Sequence, residues 1–267
     1  MRGAWQAALV GLALASAAGR LAVACSPFGS TDAPSSGDAS AEAAAGDAGA
    51  ADAASGCGAG GPFSCDGATA CLDFEDIPPT PLADGLQGPF ADITNSRSTS
   101  TLLEIADGGV GCGRGLHAVV TGDGGGEKRG ELDVPASPPP QQVTVEARVR
   151  VVSAATDCRI LDVEYELPDA GNGRIFAVAT GAAGIRLDSD GFGFDGSGQV
   201  PATGAYQRLV LVVPFGKTPT MQVDDGPLLT ATPIGPVRAG SSRIKVFLGP
   251  ETKRAPCEMW IDRVIVR

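Results

Sequence analysis

One histidine, His117, is all that the 267 residues contain. That scarcity removes most histidine-based zinc sites and leaves any Ser-His-Asp triad dependent on a single side chain. Basic residues are missing altogether between positions 26 and 56, where Asp32, Asp38, Glu42, Asp47 and Asp52 stand without a partner of opposite charge. The net charge of −11 argues against electrostatic capture of nucleic acid. Aromatics make up only 5% of the chain, whereas glycine (38) and proline (20) are frequent. Both disfavour helix interiors and punctuate strands and turns, so the composition points to an all-β protein. No run of apolar residues is long enough for a comfortable membrane span: Ala4 to Ala18 falls short of the ~20 residues required.

That apolar run follows Met1-Arg2 and is an export signal. It leads to Leu21-Ala22-Val23-Ala24-Cys25, which resembles the lipobox of bacterial lipoproteins, where the cysteine is lipidated and becomes the mature N-terminus. Ala22-Val23-Ala24 also fits an ordinary A-x-A cleavage site. Cysteine parity bears on the choice. Of the seven cysteines (25, 57, 65, 71, 112, 158 and 257), removing a lipidated Cys25 leaves six, an even set for an oxidising compartment. The expected organisation is a signal peptide over 1–24, a disordered Ala/Gly/Ser/Asp-rich tether over 25–56 and one β domain over 57–267. The tether has almost no bulky apolar residue to repay its ordering entropy. Roughly 30 such residues span about 30 Å.

Within the domain the strongest pattern is Gln142 to Val151, followed by Leu161 to Leu167. In both, apolar residues occupy every second position, the period of a strand with one buried face. The two are expected to be antiparallel neighbours at the centre of a sheet. Further strands are expected at Cys71–Asp76, Thr101–Ala106, Leu116–Thr121, Arg129–Val134, Arg174–Thr180, Ile185–Asp188, Tyr206–Pro214, Thr220–Asp224, Leu228–Ala231, Arg243–Leu248 and Glu258–Arg267. Ile77 to Ser100 reads as a long loop holding one short strand. A dozen short strands separated by turn signals indicate a sandwich of two antiparallel sheets.

The C-terminal part carries a family likeness. Tyr206 to Val213 leads to the hairpin Met221-Gln222-Val223-Asp224-Asp225-Gly226, then to Lys245-Val246-Phe247-Leu248-Gly249, then to Met259-Trp260-Ile261-Asp262-Arg263-Val264-Ile265-Val266. This series resembles the concanavalin A-like lectin/glucanase jelly roll, laminin-G-like in style, over about residues 70 to 267. The resemblance implies that the closing strand pairs with the first, Leu72–Asp76. It specifies architecture rather than activity.

Three constellations are candidates for chemistry. In Asp162-x-Glu164-x-Glu166 alternation puts three carboxylates on one face of a strand, neighbours about 6.6 Å apart. The spacing resembles the Glu-x-Asp-x-Glu strand of jelly-roll glucanases, with the first two residue types reversed. Retaining hydrolysis needs two carboxyl groups ~5–5.5 Å apart, one neutral and one ionised. The competing reading is a solvated strand face neutralised by Arg148, Arg150 or Arg159 on neighbouring strands. Few aromatics accompany the acids: Trp260 falls in the closing strand as a core candidate, and Tyr165 lies on the opposite face. Asp188, Asp190 and Asp195, interspersed with glycines, offer oxygens for calcium, although Asp-Gly is first a turn signal. His117 reads as a structural strand residue.

The clustered cysteines Cys57, Cys65 and Cys71 have no histidine nearby and read as disulfide rather than metal. Six cysteines allow fifteen pairings; the expected set is Cys57–Cys65, Cys71–Cys112 and Cys158–Cys257. Together these features describe a cell-envelope lipoprotein, anchored in the cell membrane or outer membrane and periplasmic or surface-exposed. Its jelly-roll domain binds glycan or envelope protein without catalysis and needs no cofactor unless calcium is held. A glycoside hydrolase using the acidic strand and a purely structural envelope protein are the alternatives.

Overall fold

Among the described residues sixteen strands, numbered along the chain, form two antiparallel sheets. The computed structural model describes residues 63–85, 88–96, 101–121, 125–135, 138, 140–169, 171–181, 184–189, 198–233, 235–238, 243–253 and 256–267. The expected signal peptide, Cys25, the tether and Cys57 lie outside the described residues.

The nine-stranded sheet runs β14 (Leu229–Thr230), β13 (Thr220–Val223), β12 (Gln207–Pro214), β7 (Gln142–Ala154), β16 (Cys257–Val266), β5 (Arg114–Val120), β4 (Thr101–Asp107) and β2 (Thr80–Pro81). Its ninth strand, β1 (Ala70–Leu72), pairs with the far end of β16. The seven-stranded sheet runs β11 (Val200–Pro201), β10 (Gly184–Ser189), β9 (Asn172–Thr180), β8 (Cys158–Glu166), β15 (Arg243–Thr252), β6 (Gly126–Pro135) and β3 (Asp92–Ser96). The sandwich of two antiparallel sheets is the expected fold class.

The two most regular strands are not neighbours. β7 lies between β12 and β16 in one sheet, and β8 lies between β9 and β15 in the other. The alternation of each sets its buried face as expected: Val143, Val145, Ala147 and Val149 are buried on β7, and Leu161, Val163 and Tyr165 on β8. Both rows belong to one hydrophobic cluster. A strand with one apolar face is satisfied as well by a sheet opposite as by a strand alongside, and here the two apolar rows meet through the core. Each fully buried aliphatic side chain contributes about 1.5–3 kcal/mol.

The closing strand pairs with the first, as the family likeness implies: Cys71 is the register partner of Ile265, and Leu72 of Val264. The expected first strand is shorter, however. Asp73 accepts a hydrogen bond from the Glu75 backbone N–H and turns Phe74–Asp76 into a single 3-10 turn, burying Phe74. The long loop before Ser100 contains two strands, β2 and β3, rather than one.

Two expected disulfides are corrected. Cys65 pairs with Cys71, Cα atoms 5.6 Å apart, because the turn closed by Ala68 N–H on the Cys65 carbonyl folds the chain back on itself. That excludes Cys57–Cys65 and Cys71–Cys112. Cys112 is disulfide-bonded too. Cys158–Cys257 is as expected. Disulfides of this kind persist in oxidising compartments outside the cytosol. Among the described residues no helix is long and apolar enough to cross a membrane.

Candidate functional site

Asp162 sits at the middle of β8 with its side chain on the face of the seven-stranded sheet away from the core. Its register partners on both flanking strands are phenylalanines, Phe247 on β15 and Phe176 on β9. Both rings are nearly buried and wall in the carboxyl group, leaving Asp162 only 1% exposed. Guanidinium groups cover the rings in turn. Arg129 of β6 lies 4.4 Å over Phe247, and Arg159 of β8 lies 3.9 Å over Phe176, each a cation–π contact.

The same arginines and their neighbours form a charged lattice. Asp162 Oδ2 is 2.7 Å from Arg174 Nη2 and 3.1 Å from Arg129 Nη1. Glu251 of β15 receives Arg129 at 2.9 Å and Arg159 at 3.1 Å. Glu164 meets Arg174 Nε at 3.1 Å and accepts from Asn172 Nδ2 at 2.8 Å, while Glu127 meets Arg129 Nη2 at 2.9 Å. Among the described residues Asp162 Oδ1 has no hydrogen-bond partner. Burial pushes the Asp162 carboxyl up to about 6 against the pull of Arg174, Arg129 and Arg159.

The acidic strand is therefore arranged differently from the two readings of the sequence. Its row is not a solvated face, and Arg148 and Arg150 cannot neutralise it because both lie on β7 in the other sheet. Arg129 and Arg174 do so, joined by the expected Arg159, which acts on Asp162 and pairs with Glu251 in the same lattice. Arg174 is the register partner of Glu164 across the β8–β9 hairpin, so pairing the two alternations through the turn at Leu167–Gly171 would have found it. Arg129 is two strands away, beyond β15, and no local spacing announces it. A hydrolytic pair needs one carboxyl group free to hand a proton to a glycosidic oxygen and another open to the ring carbon. Asp162 is walled in, and Glu164 is bound by Arg174 and Asn172. Glu166, further along, is partly exposed.

Of the calcium candidates only Asp188 falls among the described residues. Asp188 on β10 faces Arg186, 3.3 Å away, and also accepts the Ser189 backbone N–H. Asp190 and Asp195 lie outside the described residues. Among the described residues no cluster of histidine, cysteine and carboxylate side chains suits a metal ion.

His117 has partners that the sequence did not name. Its Nδ1 lies 2.9 Å from Glu104 Oε1 and its Nε2 3.2 Å from Glu258 Oε1. Its ring stacks on Trp260 at 4.3 Å. Trp260 is consequently not a core residue but a half-buried one on the outer face of the nine-stranded sheet. Tyr165 does face the core, on the opposite side of β8 from the acids.

No protein-family model matches the chain, and no curated protein sequence matches it. Solved structures resemble it only distantly. A carbohydrate esterase from the Shiga toxin-encoding bacteriophage phi24B is 16% identical, with 74% of this chain and 97% of that one covered and a TM-score of 0.48. The cellulose-induced protein Cip1 is 12% identical, with 73% and 93% covered and a TM-score of 0.46. A Bacillus subtilis protein of unknown function with a galectin-like fold is 12% identical, with 77% and 98% covered and a TM-score of 0.43.

Proposed function

We propose that this chain is an envelope lipoprotein, anchored through Cys25, whose sandwich domain binds a glycan or an envelope protein and performs no hydrolysis. The observation that carries the reading is the captive state of Asp162. The one strand whose sequence suggests a catalytic pair spends its central carboxylate on Arg129 and Arg174, 3.1 and 2.7 Å away. What remains is a rigid face of alternating guanidinium and carboxylate groups between phenylalanine rings, suited to hydrogen-bonding hydroxyls and amides.

The test is a glycan array and an envelope pull-down with the purified protein, alongside an assay for reducing ends released from β-glucans. Binding without release is the expected result. Release that disappears in Glu166→Gln defeats the reading in favour of a hydrolase, and blank results in all three assays leave a structural envelope protein. Metabolic labelling with a radioactive fatty acid, lost in Cys25→Ala, tests the anchor.

A further inference from the structure

The outer face of the nine-stranded sheet carries a concentration of positive charge that the acidic composition conceals. Arg148 on β7 stands directly opposite Arg208 on β12. Arg150 follows Arg148 two residues along β7 and so projects from the same face. Arg263 of β16 and Arg267 complete the group. Like charges placed directly across a strand pair are destabilising, and here the cost is only partly relieved. Glu146 serves Arg208 at 2.6 Å and Arg267 at 4.0 Å and lies within electrostatic reach of Arg148, while Asp224 and Asp225 act on Arg208 from its other side. Among the described residues neither Arg148 nor Arg150 forms a salt bridge. Asp262, the register partner of Arg148 on β16, is turned away from it. Its two oxygens accept the backbone N–H groups of Val110 at 2.8 Å and Arg263 at 2.7 Å.

Two features beside the arginines indicate what they meet. Phe63, Ser64, Glu146, Arg148 and Arg263 line a shallow hollow. At the other end Trp260 is the register partner of Arg150, bringing an indole next to a guanidinium on a flat sheet face. That indole is held in place: His117 covers it at 4.3 Å, and the backbone of Gly108 closes on its tip so tightly that a Cβ there would lie 2.8 Å from the ring. A ring packed in this way does not project into lipid, but its partly exposed surface can meet a sugar.

We infer that this arginine face is a binding site for an acidic polysaccharide, its carboxylate or phosphate groups taken by Arg148 and Arg150 and a sugar ring resting beside Trp260. The inference rests on the glycan reading above and adds to it a site for a charged glycan on the sheet opposite the Asp162 face. Arg148 and Arg150 rise from one strand face with Cα atoms about 6.6 Å apart, so both can reach one extended chain, and guanidinium groups bind carboxylate or phosphate in paired hydrogen bonds. The charge on this face opposes that of the protein as a whole, which is −11, so the site attracts what the remainder repels.

The full chain in detergent is tested against polygalacturonate, neutral dextran and phosphatidylglycerol vesicles at low and high salt. The expected result is binding of polygalacturonate in preference to dextran, weakened by salt. Removing two charge-assisted contacts in the Arg148→Gln/Arg150→Gln variant weakens it about tenfold or more. The Arg148→Lys/Arg150→Lys variant recovers part of the loss. Arg243→Gln, on the other sheet, binds like the wild type, and unchanged thermal midpoints show that the variants fold. Polygalacturonate binding unaffected by the double glutamine variant overturns the inference, as does binding to vesicles in place of polysaccharide. Dextran bound equally well overturns the inference while leaving the glycan reading intact. Failure of both polysaccharides, together with a blank glycan array, removes the two together.

Discussion

Cys158 and Cys257, 99 residues apart in sequence, are joined across the core with their Cα atoms 6.3 Å apart. One opens β8 in the seven-stranded sheet and the other opens β16 in the nine-stranded sheet. The bond is thus a staple between layers, whereas Cys65–Cys71, with a sequence separation of 6, only secures a turn.

The chain-entropy model gives the longer loop the larger effect, because the stabilisation grows with the logarithm of loop length. Replacing Cys158 and Cys257 together by alanine is expected to cost ~3–5 kcal/mol, and replacing Cys65 and Cys71 about half as much. Urea denaturation of the two double variants measures both. Equal losses would mean that the entropic account fails here.

Asp162→Asn leaves the buried Arg129 and the partly exposed Arg174 beside a neutral amide. Because burial already raises Asp162 to about 6, a neutral side chain avoids the cost of burying the ion, and the loss in the urea midpoint at pH 7 is expected to fall well below the ~3–5 kcal/mol typical of breaking a buried ion pair. Glu166→Gln, partly exposed on the same strand face, is expected to change stability by less than about 0.5 kcal/mol.

Acid should favour this fold locally before it harms it. Burial raises Asp162 and Asp262 from the ordinary carboxylate value to about 6 each. A raised value in the folded state means that the native protein takes up these protons more readily than the unfolded chain. Their contribution to stability is therefore complete below the unfolded value near 3.8 and is lost as pH rises through about 6. Measured between pH 7 and pH 4, the wild type should gain on Asp162→Asn by up to ~3 kcal/mol, about two units at 1.36 kcal/mol each. Glu146 and Asp133, held low by Arg208 and Arg243, work in the opposite direction and weaken the fold as their protons bind. A difference between wild type and Asp162→Asn that is flat with pH would contradict the assignment.

Gly130 on β6 allows the Phe90 ring to lie on bare backbone, where a Cβ would fall 2.4 Å from ring carbons. Gly130→Ala is expected to lower stability by ~1–3 kcal/mol through overpacking. The paired variant Gly130→Ala/Phe90→Leu, which makes room, should lose less than the sum of the two single changes in the same denaturation assay.

The residues that alternate could be read for orientation but not for company. Val143 to Val149 and Leu161 to Tyr165 announce which side of each strand is buried, and the burial follows them. Nothing in a period of two says whether the matching apolar row lies alongside or overhead, so β7 and β8 were placed in one sheet when they occupy opposite layers. The carboxylates of β8 were visible for the same reason that their burial was not. Alternation puts Asp162 on the outer face, but the walls that enclose it, Phe176 and Phe247, and the arginines that hold it come from β9, β15 and β6. His117 posed a similar difficulty, since Glu104 and Glu258 reach it from two different strands. The Cys65–Cys71 bond depends on a tight turn that the cysteine spacing does not announce, and nothing in the sequence separated Cys158–Cys257 from the other long-range pairing expected, Cys71–Cys112.

The position of β16 sets an order on the assembly of this domain. It is the latest strand along the chain, yet it lies between β7 and β5 and also receives β1. Until its ten residues have been synthesised and have slotted into the gap, the nine-stranded sheet is two fragments with open edges facing each other. Pairings this distant in sequence are slow to form, and unfilled edges invite other strands. A chain cut short before β16 would therefore leave a sticky, unclosed intermediate for proteases and chaperones rather than a smaller version of the same protein.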